Sequence, residues 1–171
     1  ITSTLEHLEQ VFQIYPGVII PTGGYKFTEA RAQFRSSPSR KVWGNASLTT
    51  GDFWSGHRTQ YALSGSVNPQ DGLTLSLDWT HNQIELPQGT FTTRLIRVRG
   101  NWNASPWQSL LTTVQYDDIS KIMGLYSRYR WIVRPGSDIY LVYTHNWQSI
   151  DGAFSTLSRG GTTKINYTHR F

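Results

Sequence analysis

The feature that most constrains this chain is an alternation of apolar and polar side chains, on a two-residue period, over almost its whole length. Leu73, Leu75, Leu77 and Trp79 alternate with Thr74, Ser76 and Asp78. Met123, Leu125, Tyr129, Trp131 and Val133 share one parity, and Tyr126, Arg128 and Arg130 the other. Ile139, Leu141, Tyr143 and Trp147 oppose Thr144 and Asn146. Successive side chains of a strand point to opposite faces, so this period predicts strands with one apolar and one polar face. No segment combines a helical period with caps. The reading is all-β, with ten antiparallel strands at roughly 5–15, 25–36, 41–51, 57–68, 73–85, 90–103, 107–117, 121–133, 138–148 and 161–171, in a single domain spanning 1–171.

The connections between these strands sort into two kinds. One set is short and carries proline: Ser37-Pro38-Ser39, Asn68-Pro69-Gln70-Asp71-Gly72, Ala104-Ser105-Pro106 and Arg134-Pro135-Gly136-Ser137. Proline fixes φ and glycine admits positive φ, so these are tight turns. The other set is more variable: Pro16 to Gly24, Gly51 to Gly56, Glu85 to Gly89, Asp117 to Lys121, and a long stretch from Ser149 to Gly160. Short turns on one rim and longer loops on the other describe an up-and-down β-barrel of a bacterial outer membrane. The expected strand lengths fit, because a tilted membrane strand needs about 9–11 residues where soluble strands cluster near 5–6.

Composition points the same way. Charged residues make up only 16% of the chain and aromatics 13%, whereas soluble domains are about 25% charged. No apolar run approaches the ~20 residues of a membrane helix; a barrel spreads its lipid face over alternate residues and needs no such run. Trp43, Trp102, Trp107, Trp131 and Trp147 lie near strand ends or turns, where amphipathic rings meet lipid headgroups. The net charge of +5 comes mostly from arginines inside strands, not from a basic cluster with stacking aromatics, so nucleic acid is not an expected partner. No signal peptide is visible at Ile1, and the expectation is a mature chain or a piece of a longer precursor.

Several segments together resemble a known bacterial family: Tyr15-Pro16-Gly17-Val18-Ile19-Ile20-Pro21 with Tyr25-Lys26-Phe27-Thr28, Gly51-Asp52-Phe53-Trp54-Ser55-Gly56, Leu86-Pro87-Gln88-Gly89-Thr90-Phe91-Thr92-Thr93, and Arg130-Trp131-Ile132-Val133-Arg134-Pro135-Gly136-Ser137-Asp138. They are similar to the C-terminal β-barrel region of an uncharacterised outer-membrane family whose members carry a family-9-like carbohydrate-binding domain ahead of the barrel. The resemblance covers most of the chain. It implies an outer-membrane location, a barrel larger than ten strands, a preceding domain and a link to carbohydrate handling. It carries over no catalytic residue. Outer-membrane barrels typically end in phenylalanine with apolar residues at alternate positions before it, read by the barrel assembly machinery. Ile165, Tyr167 and Phe171 fit that signal, while His169 departs from it.

For chemistry the sequence offers little beyond arginine. On the alternation, Arg31, Arg35, Arg97, Arg99, Arg128 and Arg130 fall on the polar, lumenal parity. They form either a cationic wall that favours anions or structural cations paired with Glu29, Asp78 or a plug. Asp117-Asp118 reads as a turn, since adjacent strand residues diverge and no calcium-loop spacing follows. The five histidines have no metal-ligand spacing, and no Gly-x-Ser-x-Gly elbow exists. No cofactor, no metal and no enzymatic activity are expected. The leading expectation is a channel or transport barrel. A plugged barrel that anchors a partner at the surface is the first alternative, and a soluble β-sandwich binding module the second. The lipid bilayer, the assembly machinery, remaining barrel strands and other outer-membrane or surface proteins are the partners expected.

Overall fold

A computed structural model describes residues 1–168. Twelve strands, and no helix among the described residues, make up the fold. Ten of them form one antiparallel sheet in the order β1 (Thr2–Leu8), β4 (Gly23–Arg35), β5 (Val42–Phe53), β6 (Gly56–Gln70), β7 (Leu73–Leu86), β8 (Gly89–Ser105), β9 (Gln108–Asp117), β10 (Ile122–Arg134), β11 (Ser137–Ile150) and β12 (Ala153–Asn166). From β4 onward each strand pairs with the next in sequence, a pure meander. The remaining two, β2 (Phe12–Tyr15) and β3 (Val18–Ile20), form a separate hairpin inside the β1–β4 connection. The sheet is open: β1 and β12 are its two edges.

Three expectations about boundaries are corrected. The strand expected at 5–15 is two elements, because the chain leaves the sheet after Leu8 and returns only at Gly23. The long loop expected from Ser149 to Gly160 is a two-residue turn, and the last strand starts at Ala153, eight residues before the expected 161. Its cause is the Asp151-Gly152 pair, with φ of +52° and +83°. Two consecutive left-handed residues make the primed turn whose twist matches that of paired strands. Third, the connections Trp54–Ser55 and Pro87–Gln88 are also two residues long, so loop length does not distinguish the rims. The rim opposite the proline turns is marked instead by the 9–22 excursion. Pro69 falls where the β6–β7 register shifts between Val67 and Gln70, a position that does not need the missing N–H.

The ladder sorts the side chains into two faces. Cross-strand partners share a face, so the pairs Leu77–Val98, Val98–Val114 and Val114–Leu125 extend one apolar surface. Phe34, Leu48, Leu63, Leu75, Leu77, Ile96, Val98, Trp102, Trp131 and Leu141 all lie on it, and all are exposed. The only wholly buried cluster among the described residues lies on the opposite face. There Val18 and Ile20 of the hairpin pack on Ile84, Leu86 and Phe91, and the Tyr15 ring stacks on Phe91 at 4.4 Å. Trp54 adopts φ of +51°, a conformation that costs a side-chain-bearing residue roughly 1–2 kcal/mol. Edge contacts with Tyr25 and Phe27, at 5.2 and 5.4 Å between centroids, hold it there.

Candidate functional site

The polar face of the sheet collects every arginine singled out from the sequence. Arg31 and Arg35 lie on β4, Arg97 and Arg99 on β8, and Arg128 and Arg130 on β10. The register places them on the same face, through rows such as Arg35–Asn45–Ser64–Asp78–Arg97–Gln115. Sequence reading passed over a seventh, Arg58 of β6, although it shares parity with Gln60, Ser64 and Ser66. Over β4 to β11 these seven arginines share the face with four carboxylates, Glu29, Asp78, Asp117 and Asp138.

Two of the seven are committed to structure. Arg58 donates from Nη2 to Glu29 and lies 4.5 Å over the Phe53 ring, below the hairpin. Arg130 donates from Nε and Nη2 to one oxygen of Asp138, at 3.1 and 2.8 Å. Asn166 Nδ2 donates to the other oxygen at 2.8 Å. That network ties β10, β11 and β12 together at the proline-turn rim, so Arg130 acts as a clamp. The other five form no ion pair among the described residues. Arg97 donates from Nε to Gln115 Oε1 at 3.0 Å and stands across the ladder from Asp78. Arg31, Arg35, Arg99 and Arg128 are exposed.

A polar groove of about 370 Å³ lies on this face, lined by Thr113, Gln115, Asp117, Gly124, Tyr126 and Asn146 among others. Gly124 helps to open it: a Cβ there would meet Asn146 Oδ1 at 3.0 Å. The acidic pair is turn chemistry, as its position suggests. Asp117 accepts from Ile119 N and Ser120 Oγ, and Asp118 from Arg94 N.

The tryptophans divide. Trp102 and Trp131 are on the apolar face near the proline-turn rim, and Trp107 is in the turn between β8 and β9. Trp147 is on the apolar face toward the other rim, stacked on His145 at 3.8 Å. Trp43 departs from the expectation: it pairs with Ser66 and lines a pocket with Arg35 and Ser64, on the polar face. It lies next to the start of β5, but its parity opposes that of Val42, Ala46 and Leu48. Of the terminal triplet, Ile165 pairs with Ile139 on the apolar face. Tyr167 lies past β12, 4.5 Å from the Arg134 guanidinium, and Phe171 lies outside the described residues.

No family model, no curated protein and no solved structure matches the chain.

Proposed function

We propose that this chain is the transmembrane wall of a bacterial outer-membrane β-barrel that passes solutes along its arginine-bearing face. The observation that carries the reading is the apolar face. From β4 to β11 its charged residues lie at the rims, Lys26, Asp52, Glu85 and Arg94 toward the hairpin-bearing one and Arg134, paired with Ser137, at the proline-turn one. Between the rims runs a charge-free band, with Trp79, Tyr116 and Trp147 on one side and Trp102, Trp107 and Trp131 on the other. Eight strands at ~4.8 Å spacing and some six residues of strand make it roughly 35 Å by 20 Å. That is on the order of 700 Å², larger than the patch a typical soluble monomer exposes.

Strand stagger supports a closing sheet. One row of partners runs Phe34, Ala46, Leu63, Trp79, Ile96, Tyr116, Met123, Trp147. It begins beside Arg35 at the proline-turn end of β4 and finishes ten residues from Ser137, the corresponding end of β11. A drift of about nine residues over seven strand steps, at ~3.3 Å per residue and ~4.8 Å per step, gives a tilt of about 40°. Membrane barrels tilt by ≈ 35–45°.

The hairpin favours a second reading. With Ile20 fully buried, it is fixed to the polar face at one rim, which suits a plugged barrel that anchors a partner as well as a constricted channel. Fractionation, gel mobility and planar-bilayer recording separate the cases. The channel reading expects retention in outer membranes, a mobility difference between unheated and boiled samples, and discrete conductance steps. A retained, heat-shifted protein without conductance supports the plugged barrel. A protein that washes off soluble and unshifted sinks both.

A further inference from the structure

We infer that the solutes passed are anions, selected by Arg97, Arg99 and Arg128 together with the groove beside them; the inference rests on the channel reading above. The five polar-face arginines without an ion pair among the described residues are not spread evenly. Arg97 and Arg99 point the same way from one strand, two residues apart. Their ladder partners on β9 are Gln115 and Thr113, two of the residues lining the groove. Tyr126, on the groove's β10 side, is followed two residues later on the same face by Arg128. Three arginines therefore stand one ladder or strand position away from the lining of a cleft whose walls offer a hydroxyl (Thr113), an amide (Gln115), a phenol (Tyr126) and a second amide (Asn146). Each can donate to an oxyanion, and guanidinium forks match carboxylate, phosphate and sulfate geometry.

Two carboxylates oppose the assignment and neither cancels it. Asp117 lines the far end of the groove, four residues along β9 from Thr113, the ladder partner of Arg99. Asp78 faces Arg97 across the ladder and leaves Arg99 and Arg128 uncompensated. A structural role for these arginines would show itself as carboxylate partners, the condition of Arg58 with Glu29 and Arg130 with Asp138. Arg99 and Arg128 instead reach open space. Rings and walls of arginine select anions in pores because low-dielectric walls focus their field on the conduction path.

The test is the reversal potential of the intact protein in a planar bilayer under a tenfold KCl gradient. We expect chloride to be more permeant than potassium. The triple variant R97Q/R99Q/R128Q should lower the chloride-to-potassium ratio at least threefold, and R97K/R99K/R128K, which keeps the charge, should restore most of it. The preference should also weaken when both solutions are near 1 M, where the Debye length falls to ~3 Å. Conductance with no anion preference, or a ratio unmoved in the triple Gln variant while the heat-shifted band persists, overturns the anion assignment and leaves the channel reading standing. Absence of conductance overturns the channel reading and this inference with it.

Discussion

At the scale of single residues, the two faces make opposite demands on one chemistry, and neighbouring positions on β7 test them. Leu77 is half exposed on the apolar face, and Ser76 lies on the polar face beside Arg99. Arginine at a lipid-facing position near the midplane costs about 2–4 kcal/mol, whereas the lumenal face of a barrel is polar. Leu77→Arg should therefore lower unfolding free energy in lipid vesicles by that amount, and Ser76→Arg by about 1 kcal/mol or less, the worth of its lost hydroxyl contact with Ser66. Equal, small effects would mean that both faces meet water. Ile20 tests the hairpin in the same way. Truncating a fully buried isoleucine costs about 2–5 kcal/mol, so Ile20→Ala should raise hydrogen exchange over residues 12–20 while leaving β7 and β8 protected. Much of this was legible in the sequence, since parity alone assigns Arg97, Leu77 and Ser76 to their faces. What parity could not supply was pairing. Nothing in the order of residues says that Arg130 closes on Asp138 while Arg128 does not, because that depends on the register set by the β10–β11 turn.

At the scale of elements, the meander from β4 to β11 follows from alternation and turn chemistry, and its failures have identifiable causes. Ser155, Ser158, Gly160 and Gly161 give β12 the composition of a loop, and its alternation breaks where Leu157 is the extra residue of a bulge. Asp151-Gly152 was the informative signal there: it fixes the hairpin locally, whatever the strand composition. Gly152 should be the costly member of the pair, since its φ of +83° suits no side chain. Gly152→Ala is expected to destabilise the protein by roughly 1–2 kcal/mol, read as a lower urea midpoint at unchanged slope. An unchanged midpoint would mean that the turn contributes nothing to the β11–β12 pairing. The hairpin at 12–20 was hidden for a different reason. Leu8, Phe12 and Ile14 fall on one parity, so periodicity runs on past Leu8 and cannot tell a strand in the sheet from one folded across its face. Only the long-range contact with Phe91 and Ile84 decides it.

At the scale of the whole molecule, the unanswered demand is at the edges. β1 covers only the Gly23–Glu29 half of β4, so Ala30–Arg35 is paired on the β5 side alone. β12 pairs with β11 along its length and presents its other side to nothing among the described residues. Unpaired N–H and C=O groups in hydrocarbon cost several kcal/mol each, and spanning sheets therefore close. In a closed barrel the free side of β12 pairs either with β1 or with strands other than these ten. Cysteine pairs on the polar face discriminate the two arrangements: Thr4→Cys or Glu6→Cys combined with Ser155→Cys, Ser158→Cys or Gly160→Cys, in a chain that has no native cysteine. Closure through additional strands predicts no intrachain disulfide from any combination under mild oxidation in membranes, because the two edges then lie further apart than the ~7 Å Cα separation a disulfide can bridge. A disulfide that forms at one register and fails at its neighbours would identify a direct β1–β12 seam, and would make the ten-stranded sheet the complete wall.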